Sequence, residues 1–270
     1  MEVEFGLVAN KIAENNGQCY IVGSYYRDMI EKNIGSEYHI ATDLLPNVIL
    51  DIFRKFVIND YSNVLGNVVI KINNIVFEIE TFKKCESKFR KNNFRGYTDS
   101  IYEDIYSRDF TINAIYVGKD EIIDPVNGIK DVEDKVIRTI IDANDSFKED
   151  PLRMVRALSI MAKYKYKLSE ETERALIFNS DLISYVDNKI SGKEIKTFVG
   201  QPYFIETFNK YQYLFEGLYP ELNKTIVIDL PDSADARLFE LFKYFKINLD
   251  SSIIKGNDLM IKYLKLLFEE

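Results

Sequence analysis

The chain has 270 residues, of which 46% are hydrophobic and 29% are charged, which is typical of a soluble globular protein with room for one large or two small domains. The net charge of −8 excludes a protein that coats nucleic acid through bulk positive charge. Two cysteines and a single histidine exclude a Cys/His zinc site and argue against a disulfide framework. No apolar run is long enough to span a bilayer, and the acidic, amphipathic start differs from a signal peptide. The sequence therefore predicts a cytoplasmic protein with no membrane contact.

The first half of the chain alternates helix and strand patterns. Apolar residues recur at helical spacing between Phe5 and Ile12. The run "CYIV" then predicts a buried strand, which leads through Gly23-Ser24 into a helix. "YHIA" predicts a second strand and "LLPNVILDIFRKF" a helix, whereas "NVVIKINNIVFEIETF" predicts a hairpin that turns at Asn73-Asn74. "AIYVGKDEIIDP" repeats the hairpin pattern, so this half predicts a mixed sheet with helices.

The strand patterns fade after about Ile140, and helical spacing takes over. It runs from "DSFKEDPLRMVRALSIMAKY" to the C-terminal "NDLMIKYLKLLFEE", and Ser169 is a good N-cap for the helix "EETERALIF". We therefore predict an α+β protein with two domains. Residues 1–140 form a head with a mixed sheet, and residues 141–270 form an all-helical neck and body.

The Gly23-Ser24 turn between strand and helix is a candidate phosphate-binding element. Backbone N–H groups in such a turn favour an anion. Arg27 follows one helical turn later, where it can reach the same phosphates. Gly-Ser turns also occur in many proteins that bind no phosphate, so the turn alone is weak evidence.

Acidic side chains and the single histidine occupy alternate positions on two predicted strands. Residues i and i+2 of a strand point to one face, so Glu37 and His39 should converge beside the turn. Two carboxylates in these positions would hold two magnesium ions for phosphoryl or nucleotidyl transfer. Glu78 and Glu80 share a face of the "FEIETF" strand in the same way, and either can supply a third ligand.

Asp150 and Arg153 are three residues apart in a predicted helix and are expected to be neighbours on its surface. A carboxylate acceptor beside a guanidinium donor suits the edge of cytosine or adenine, where the exocyclic amine donates and a ring nitrogen accepts. An ion pair within a helix is the alternative interpretation, and it is preferable if the pair is considered alone.

Two segments are rich in lysine and arginine, Lys83 to Arg95 and Leu152 to Leu168. An acidic protein with two such segments can hold a phosphate chain in one groove. A solvated surface accounts for the first segment equally well.

Together these segments resemble the class II tRNA nucleotidyltransferase and poly(A) polymerase family, within the DNA polymerase β-like superfamily. The matching stretches run in the family's order between about Ile21 and Leu222: "IVGSYYRD", "HIATD", "FEIETF", "SRDFTINAIYV", "IIDPVNGIKDVEDKVIRTI", "EDPLRMVRAL" and the looser "ISGKEI" and "GLYPEL". A single motif of this kind would be weak evidence, but the ordered set is specific for the fold.

The resemblance implies roles for individual residues. It assigns the triphosphate to the turn that carries Ser24 and to Arg27, the ribose and phosphates to Arg108 and Asp109, and the third acidic position to Glu78. Three residues match the helix that reads the base of CTP or ATP without a template: Asp150, Arg153 and Arg156. The nucleotide-binding set is therefore Gly23, Ser24, Arg27, Arg108, Asp109, Asp150, Arg153 and Arg156, and the catalytic and metal-binding set is Glu37, His39 and Glu78.

The chain departs from the family at its metal motif, because Glu37 and His39 stand where the family has two aspartates. The longer Glu37 displaces an oxygen by about 1.5 Å, a shift of the order that costs about 10²-fold in rate. An imidazole is a poor magnesium ligand, although manganese tolerates nitrogen better. The family's double arginine is Ser107-Arg108, a further arginine is Ser159, and the matched region ends about fifty residues before the C-terminus, so we expect a weaker hold on tRNA.

Two hypotheses remain open. In the first, the chain is a template-independent nucleotidyltransferase that acts on the 3′ end of a tRNA or other RNA, with magnesium or manganese at an altered site. In the second, it is a catalytically inactive homologue that binds a nucleotide or an RNA end as a sensor or partner subunit. A third interpretation, a scaffold that binds nothing, is disfavoured because a pocket lined by three arginines is costly without an anion. Oligomeric state is open.

Overall fold

The computed structural model describes residues 2–61, 66–85, 94–186, 188–218, 222 and 224–246. The chain divides into two compact units, Met1–Ile141 and Asp142–Glu270. The predicted C-terminal helix "NDLMIKYLKLLFEE" lies outside the described residues, as do Lys88, Arg90 and Lys91 of the first basic segment.

The first unit combines helices and strands, as the sequence predicts. Its helices are α1 (Glu2–Ala13), α2 (Tyr25–Ile30), α3 (Pro46–Phe53), α4 (Ile101–Asp104) and α5 (Gly128–Glu133). Its strands are β1 (Tyr20–Val22), β2 (Glu37–Thr42), β3 (Val57–Tyr61), β4 (Asn67–Ile72), β5 (Ile75–Thr81), β6 (Lys83–Cys85), β7 (Phe94–Tyr97), β8 (Tyr116–Val117), β9 (Ile122–Ile123) and β10 (Val136–Ile137). Short 3-10 turns cover Ile105–Ser107 and Thr111–Asn113.

Seven of these strands form one mixed sheet in the order β3-β4-β5-β2-β1-β8-β9. Strands β2 and β5 run parallel, and the other neighbours run antiparallel. The predicted hairpin between β4 and β5 is confirmed, and Asn73 adopts a φ of 53° in its turn, a conformation that asparagine tolerates. The central pairing of β2 with β5 sets His39 opposite Glu78, whereas Glu37 lies opposite Val76.

The core of this unit follows from the apolar periodicity of its helices. Val8 and Ile12 of α1 lie in one cluster with Ile49 and Phe53 of α3 and with strand residues such as Ile79. All five side chains are buried. The four helical ones are buried because each helix directs residues three or four apart toward the sheet that carries Ile79. Burial of this kind fixes the strands that carry the candidate site.

The second unit is predominantly helical, although the short strand Lys167–Leu168 departs from the all-helical body that the sequence predicts. Its elements are α6 (Ala143–Glu149), α7 (Leu152–Tyr164), β11 (Lys167–Leu168), α8 (Glu170–Phe178), a 3-10 segment (Ser180–Tyr185), α9 (Asn188–Val199), α10 (Phe204–Lys210), α11 (Gln212–Leu218) and α12 (Ala234–Phe245). Stacked aromatic rings form its core, with Phe198 and Phe215 nearly parallel at a centroid distance of 5.0 Å. Ser169 caps α8 as predicted, because its hydroxyl accepts the Thr172 N–H.

The predicted α+β class is confirmed, with local differences. The helix predicted over "LLPNVILDIFRKF" ends at Phe53, and the chain then forms the exposed edge strand β3, which the sequence pattern does not predict. Strands β6 and β7 pair within a segment that the sequence marked only by its charge. Among the described helices, none has the length and apolar character needed to cross a membrane.

Candidate functional site

The turn after β1 has the geometry predicted for a strand-turn-helix element. Gly23 has a φ of 75°, in the left-handed region that favours glycine. A side chain there would also lie 3.8 Å from the His39 ring. Ser24 occupies the N-cap position of α2, and its side chain makes no capping hydrogen bond. The turn therefore brings Ser24 beside β2.

The structure brings Ser24, Glu37 and His39 to one recess, which all three line. Glu37 and His39 are both exposed and project from the same face of β2, as their spacing predicts. In the parallel pairing, His39 lies opposite Glu78 of β5, and His39 Nδ1 is 3.6 Å from Glu78 Oε2. The two side chains are 51% and 37% exposed, so solvent screens this pair.

The donor set formed by Glu37 and His39 of this recess and the neighbouring Glu78 does not fit the predicted magnesium or manganese site. The second carboxylate oxygen of Glu78 accepts a hydrogen bond from Asn67 Nδ2, so both of its oxygens face protein groups. His39 brings a nitrogen to a position where magnesium requires oxygen. Within the described ranges, no three His, Cys, Asp or Glu side chains gather closely enough to hold a metal ion. Glu37, His39 and Glu78 share a neighbourhood, but they do not form a metal-binding cluster.

Glu80, the alternative third ligand, belongs to a buried ion-pair network with Arg108. The Arg108 guanidinium donates to Glu80 through Nη1 and to Asp104 Oδ2 through Nη2, the latter at 2.6 Å. Lys83 Nζ donates to the other Glu80 oxygen at 3.0 Å. Burial opposes the ionisation of Glu80, but the charges of Arg108 and Lys83 outweigh it and lower the pKa of Glu80 to about 2. Arg108 therefore ties β5 to the segment after α4, and its contact with a ribose or phosphate stays a prediction.

Arg27 and Asp109 are joined by Asn113, a residue for which the sequence predicts no role. Arg27 Nη1 donates to Asn113 Oδ1 at 2.6 Å, and Asn113 Nδ2 donates to Asp109 Oδ1 at 2.8 Å. Arg27 is only 4% exposed, and its contact with phosphates stays a prediction. The available signal for Asn113 was the lone amide in the largely apolar stretch "FTINAIYV".

In the second unit, Asp150 has a different partner from the predicted one. It ends α6 rather than lying within α7, and its Oδ1 accepts the Leu152 N–H at 3.0 Å at the start of α7. Arg156 Nη2 bonds the other carboxylate oxygen. Both side chains are about one-third exposed, so this acceptor and donor pair is accessible to solvent.

Arg153 is buried and does not pair with Asp150. Its Nη1 donates to Glu149 Oε2 at 3.0 Å and to Ser146 Oγ at 2.9 Å. The prediction that Asp150 and Arg153 are neighbours on the surface of one helix is therefore wrong, because Asp150 precedes the helix that carries Arg153. The nucleotide-binding role of all three residues stays a prediction.

The arginines of the predicted nucleotide site do not require a bound anion to compensate their charge. Arg27 Nε lies 3.7 Å from Asp28, and each of the other arginines is also near a carboxylate of its own unit. These arginines are Arg108, Arg153 and Arg156. Because internal carboxylates compensate all four charges, electrostatics alone does not disfavour a scaffold.

Four of the described lysines of the basic segments also have local partners. Lys83 and Lys84 each pair with a glutamate, at 3.0 and 3.5 Å. Lys163 and Lys165 lie over tyrosine rings, at 4.7 and 4.2 Å from the ring centroids. Their use for a phosphate chain stays a prediction.

Comparison with known proteins decides the family. Residues 19–138 match the poly A polymerase head domain. A CCA-adding enzyme of Geobacillus sp. is 30% identical over 200 residues, and one of Bacillus subtilis is 35% identical over 179 residues. The chain belongs to the tRNA nucleotidyltransferase and poly(A) polymerase family. These matches cover 73% and 65% of the chain, and they cover 49% and 44% of the two relatives. This family member thus spans about half the length of the curated relatives that it matches.

Solved structures of the family share the fold. The Bacillus stearothermophilus CCA-adding enzyme in complex with CTP superposes with a TM-score of 0.80 at 23% identity, over 98% of this chain and 68% of that chain. The Thermotoga maritima CCA-adding enzyme complexed with tRNA superposes with a TM-score of 0.65 at 21% identity, over 80% and 52% of the two chains. At these identities the likeness establishes the fold alone.

Proposed function

We propose that this chain binds CTP or ATP and transfers a nucleotide to the 3′ end of an RNA without a template. The observation that carries the proposal is the placement of Glu37 and His39 on one face of β2, beside Ser24 of the strand-turn-helix element, on this family's fold. The sequence similarity to CCA-adding enzymes supports a tRNA or a tRNA-like end as the acceptor. In this proposal, residues 1–140 form the nucleotidyltransferase head, and residues 141–270 form the neck and body.

The first unit offers candidate partners for two parts of the nucleotide: we assign the phosphates to the Gly23-Ser24 turn and the ribose to Asp109. Within the second unit, considered by itself, Asp150 and Arg156 offer an acceptor and a donor that suit a base edge, because cytosine and adenine each present an exocyclic amine and a ring nitrogen. This reading of the base needs no template strand, because the selecting groups belong to the protein.

The transfer joins the RNA 3′ oxygen to the α-phosphorus and releases pyrophosphate. We assign His39 the role of accepting the proton of the attacking hydroxyl, since its imidazole is exposed in the recess and lies beside Glu78. With Nδ1 directed toward Glu78, Nε2 is the nitrogen that accepts. No step is assigned to a metal ion, because the donor set does not fit one.

A second candidate function is nucleotide or RNA binding without transfer, as a sensor or a partner subunit. The specific observation in its favour is that His39 and Asn67 both contact the Glu78 carboxylate. Two aspartates on β2 would need this carboxylate beside them, and these contacts make it unavailable. The nucleotide contacts are the same in both candidates, so the two differ only in turnover.

Nucleotide incorporation onto a tRNA that lacks its 3′ CCA distinguishes the candidates. Native protein is assayed with CTP and ATP, in magnesium, in manganese and in a chelator, beside a Glu37→Asp, His39→Asp double variant. Extension by the native chain supports the transfer proposal, and extension by the double variant alone supports binding without turnover. Failure of both proteins refutes transfer on this fold. As a control, Ile58→Asp adds an aspartate two residues before Asp60 on the exposed strand β3, where it should leave extension at the level of the native chain.

A further inference from the structure

The side chain of Asn113 joins separate parts of the proposed nucleotide site. Its Oδ1 accepts from Arg27 of α2 at 2.6 Å, and its Nδ2 donates to Asp109 at 2.8 Å. The backbone carbonyl of Asn113 accepts the Gly23 N–H at 3.1 Å. One residue therefore contacts the turn, the helix that follows it and the Arg-Asp segment.

An amide suits this position because of its neighbours' chemistry. The Arg27 guanidinium only donates hydrogen bonds, and the ionised Asp109 carboxylate only accepts them. A side chain between them must accept on one side and donate on the other, as asparagine does. Aspartate lacks the donor when it is ionised, and alanine lacks both groups.

Arg27 holds the Asn113 side chain in place in this arrangement. It is 4% exposed, and its Nε lies 3.7 Å from Asp28 on the same helix. A buried guanidinium held by Asp28 and Asn113 has little rotamer freedom. The fixed guanidinium therefore restricts the position of the Asn113 side chain, and Asn113 in turn restricts the less buried Asp109.

We propose that Asn113 is a positioning residue that holds Asp109 and the Gly23-Ser24 turn at a fixed separation for the nucleotide. The inference rests on the proposed function, because it requires the nucleotide to contact this turn and Asp109. Asn113 itself need not touch the ligand. Its loss should lower nucleotide affinity without a matching loss of fold.

The test is calorimetric titration of CTP and ATP into native protein and three variants, with the melting temperature recorded for each. Asn113→Ala should weaken binding by about tenfold or more, since two hydrogen bonds to charged groups are lost. Thr111→Val is the matched control on the same 3-10 turn, because it removes a buried hydrogen bond of 2.7 Å to Asp131 that does not involve Arg27. It should lower the melting temperature and leave the dissociation constant unchanged.

The pH dependence of nucleotide affinity in the Asn113→Asp variant is a measurement that a purely structural role of Asn113 would not change. At neutral pH the introduced carboxylate faces Asp109 and Arg27, the latter lying beside Asp28, and it cannot donate to Asp109. A proton shared between the introduced carboxylate and Asp109 restores a donor, so affinity for the variant should recover as the pH falls, whereas the native chain should show no such recovery. This variant decides the question if Asn113→Ala does not fold.

Each outcome bears on the proposal. Native affinity in Asn113→Ala, or equal losses in Asn113→Ala and Thr111→Val, would overturn the positioning role while leaving the proposed function intact. A native chain that binds neither nucleotide overturns the proposed function, and the inference with it. Recovery of Asn113→Asp at low pH supports the donor and acceptor roles of the amide directly, and an affinity that stays low at every pH counts against them.

Discussion

Glu80→Gln is expected to remove about 3 kcal/mol from the free energy of unfolding at neutral pH. Arg108 and Lys83 overcome the effect of burial and lower the pKa of Glu80 from 4.5 to about 2. Each unit of pKa corresponds to about 1.4 kcal/mol of differential stability. The Glu80 side chain is 15% exposed, so solvent screens its pairs little and the conversion holds to order of magnitude.

The sign of the pH dependence follows from the direction of this shift. The folded-state pKa of Glu80 lies below its unfolded value, so the unfolded chain binds more protons between them. The stabilisation is therefore fully present above about pH 4.5 and is lost as the pH falls toward about 2. Glutamine cannot ionise, so the difference between native and variant should shrink across this window.

The assay is urea unfolding followed by circular dichroism, from about pH 7 to about pH 3. Asp51→Asn is the control in the same unit, because Asp51 and Arg54 form an exposed pair that should contribute about 0 to 1 kcal/mol. A native-to-variant difference that stays constant over the whole pH range would refute the reasoning. It would mean that Glu80 contributes through packing or neutral hydrogen bonds rather than through its charge.

Three further predictions concern the backbone, a helix cap and nucleotide choice. Gly128→Ala should destabilise the first unit by about 1 to 3 kcal/mol in urea unfolding, because a Cβ would lie 2.1 Å from the Thr111 carbonyl oxygen; an unchanged midpoint would contradict this. Ser169→Ala should cost about 1 kcal/mol, since its hydroxyl accepts the Thr172 N–H at 3.2 Å, and a thermal melt identical to native would refute the cap. Asp150→Ala should alter the ratio of CTP to ATP incorporated, and an active variant with native selectivity would exclude Asp150 from base reading.

Local patterns in the sequence predict most of the fold. The β4–β5 hairpin, the turn at Gly23 and the cap at Ser169 each depend on residues that are close in sequence. Strand β3 was missed because the apolar run before it, which forms α3, continues the helical pattern as far as Phe56, whereas β3 itself is exposed. Edge strands of this kind are defined by their partner rather than by their own periodicity.

The candidate site was predictable only where it depends on strand geometry. The i, i+2 rule placed Glu37 and His39 on one face, and the parallel register then set His39 opposite Glu78. Side-chain pairing across the fold was not predictable, because it depends on which groups the chain buries together. Arg108 pairs with Asp104 and with Glu80, which is distant in sequence, and Arg156 rather than Arg153 pairs with Asp150.

The most direct measurement is the melting temperature of the native chain with increasing CTP or ATP. A ligand at about one hundred times its dissociation constant adds about 2.7 kcal/mol to the stability of the folded state. We therefore predict a rise of several degrees at millimolar nucleotide, in either candidate function. No shift with either nucleotide, with and without divalent ions, would contradict a nucleotide site on this fold.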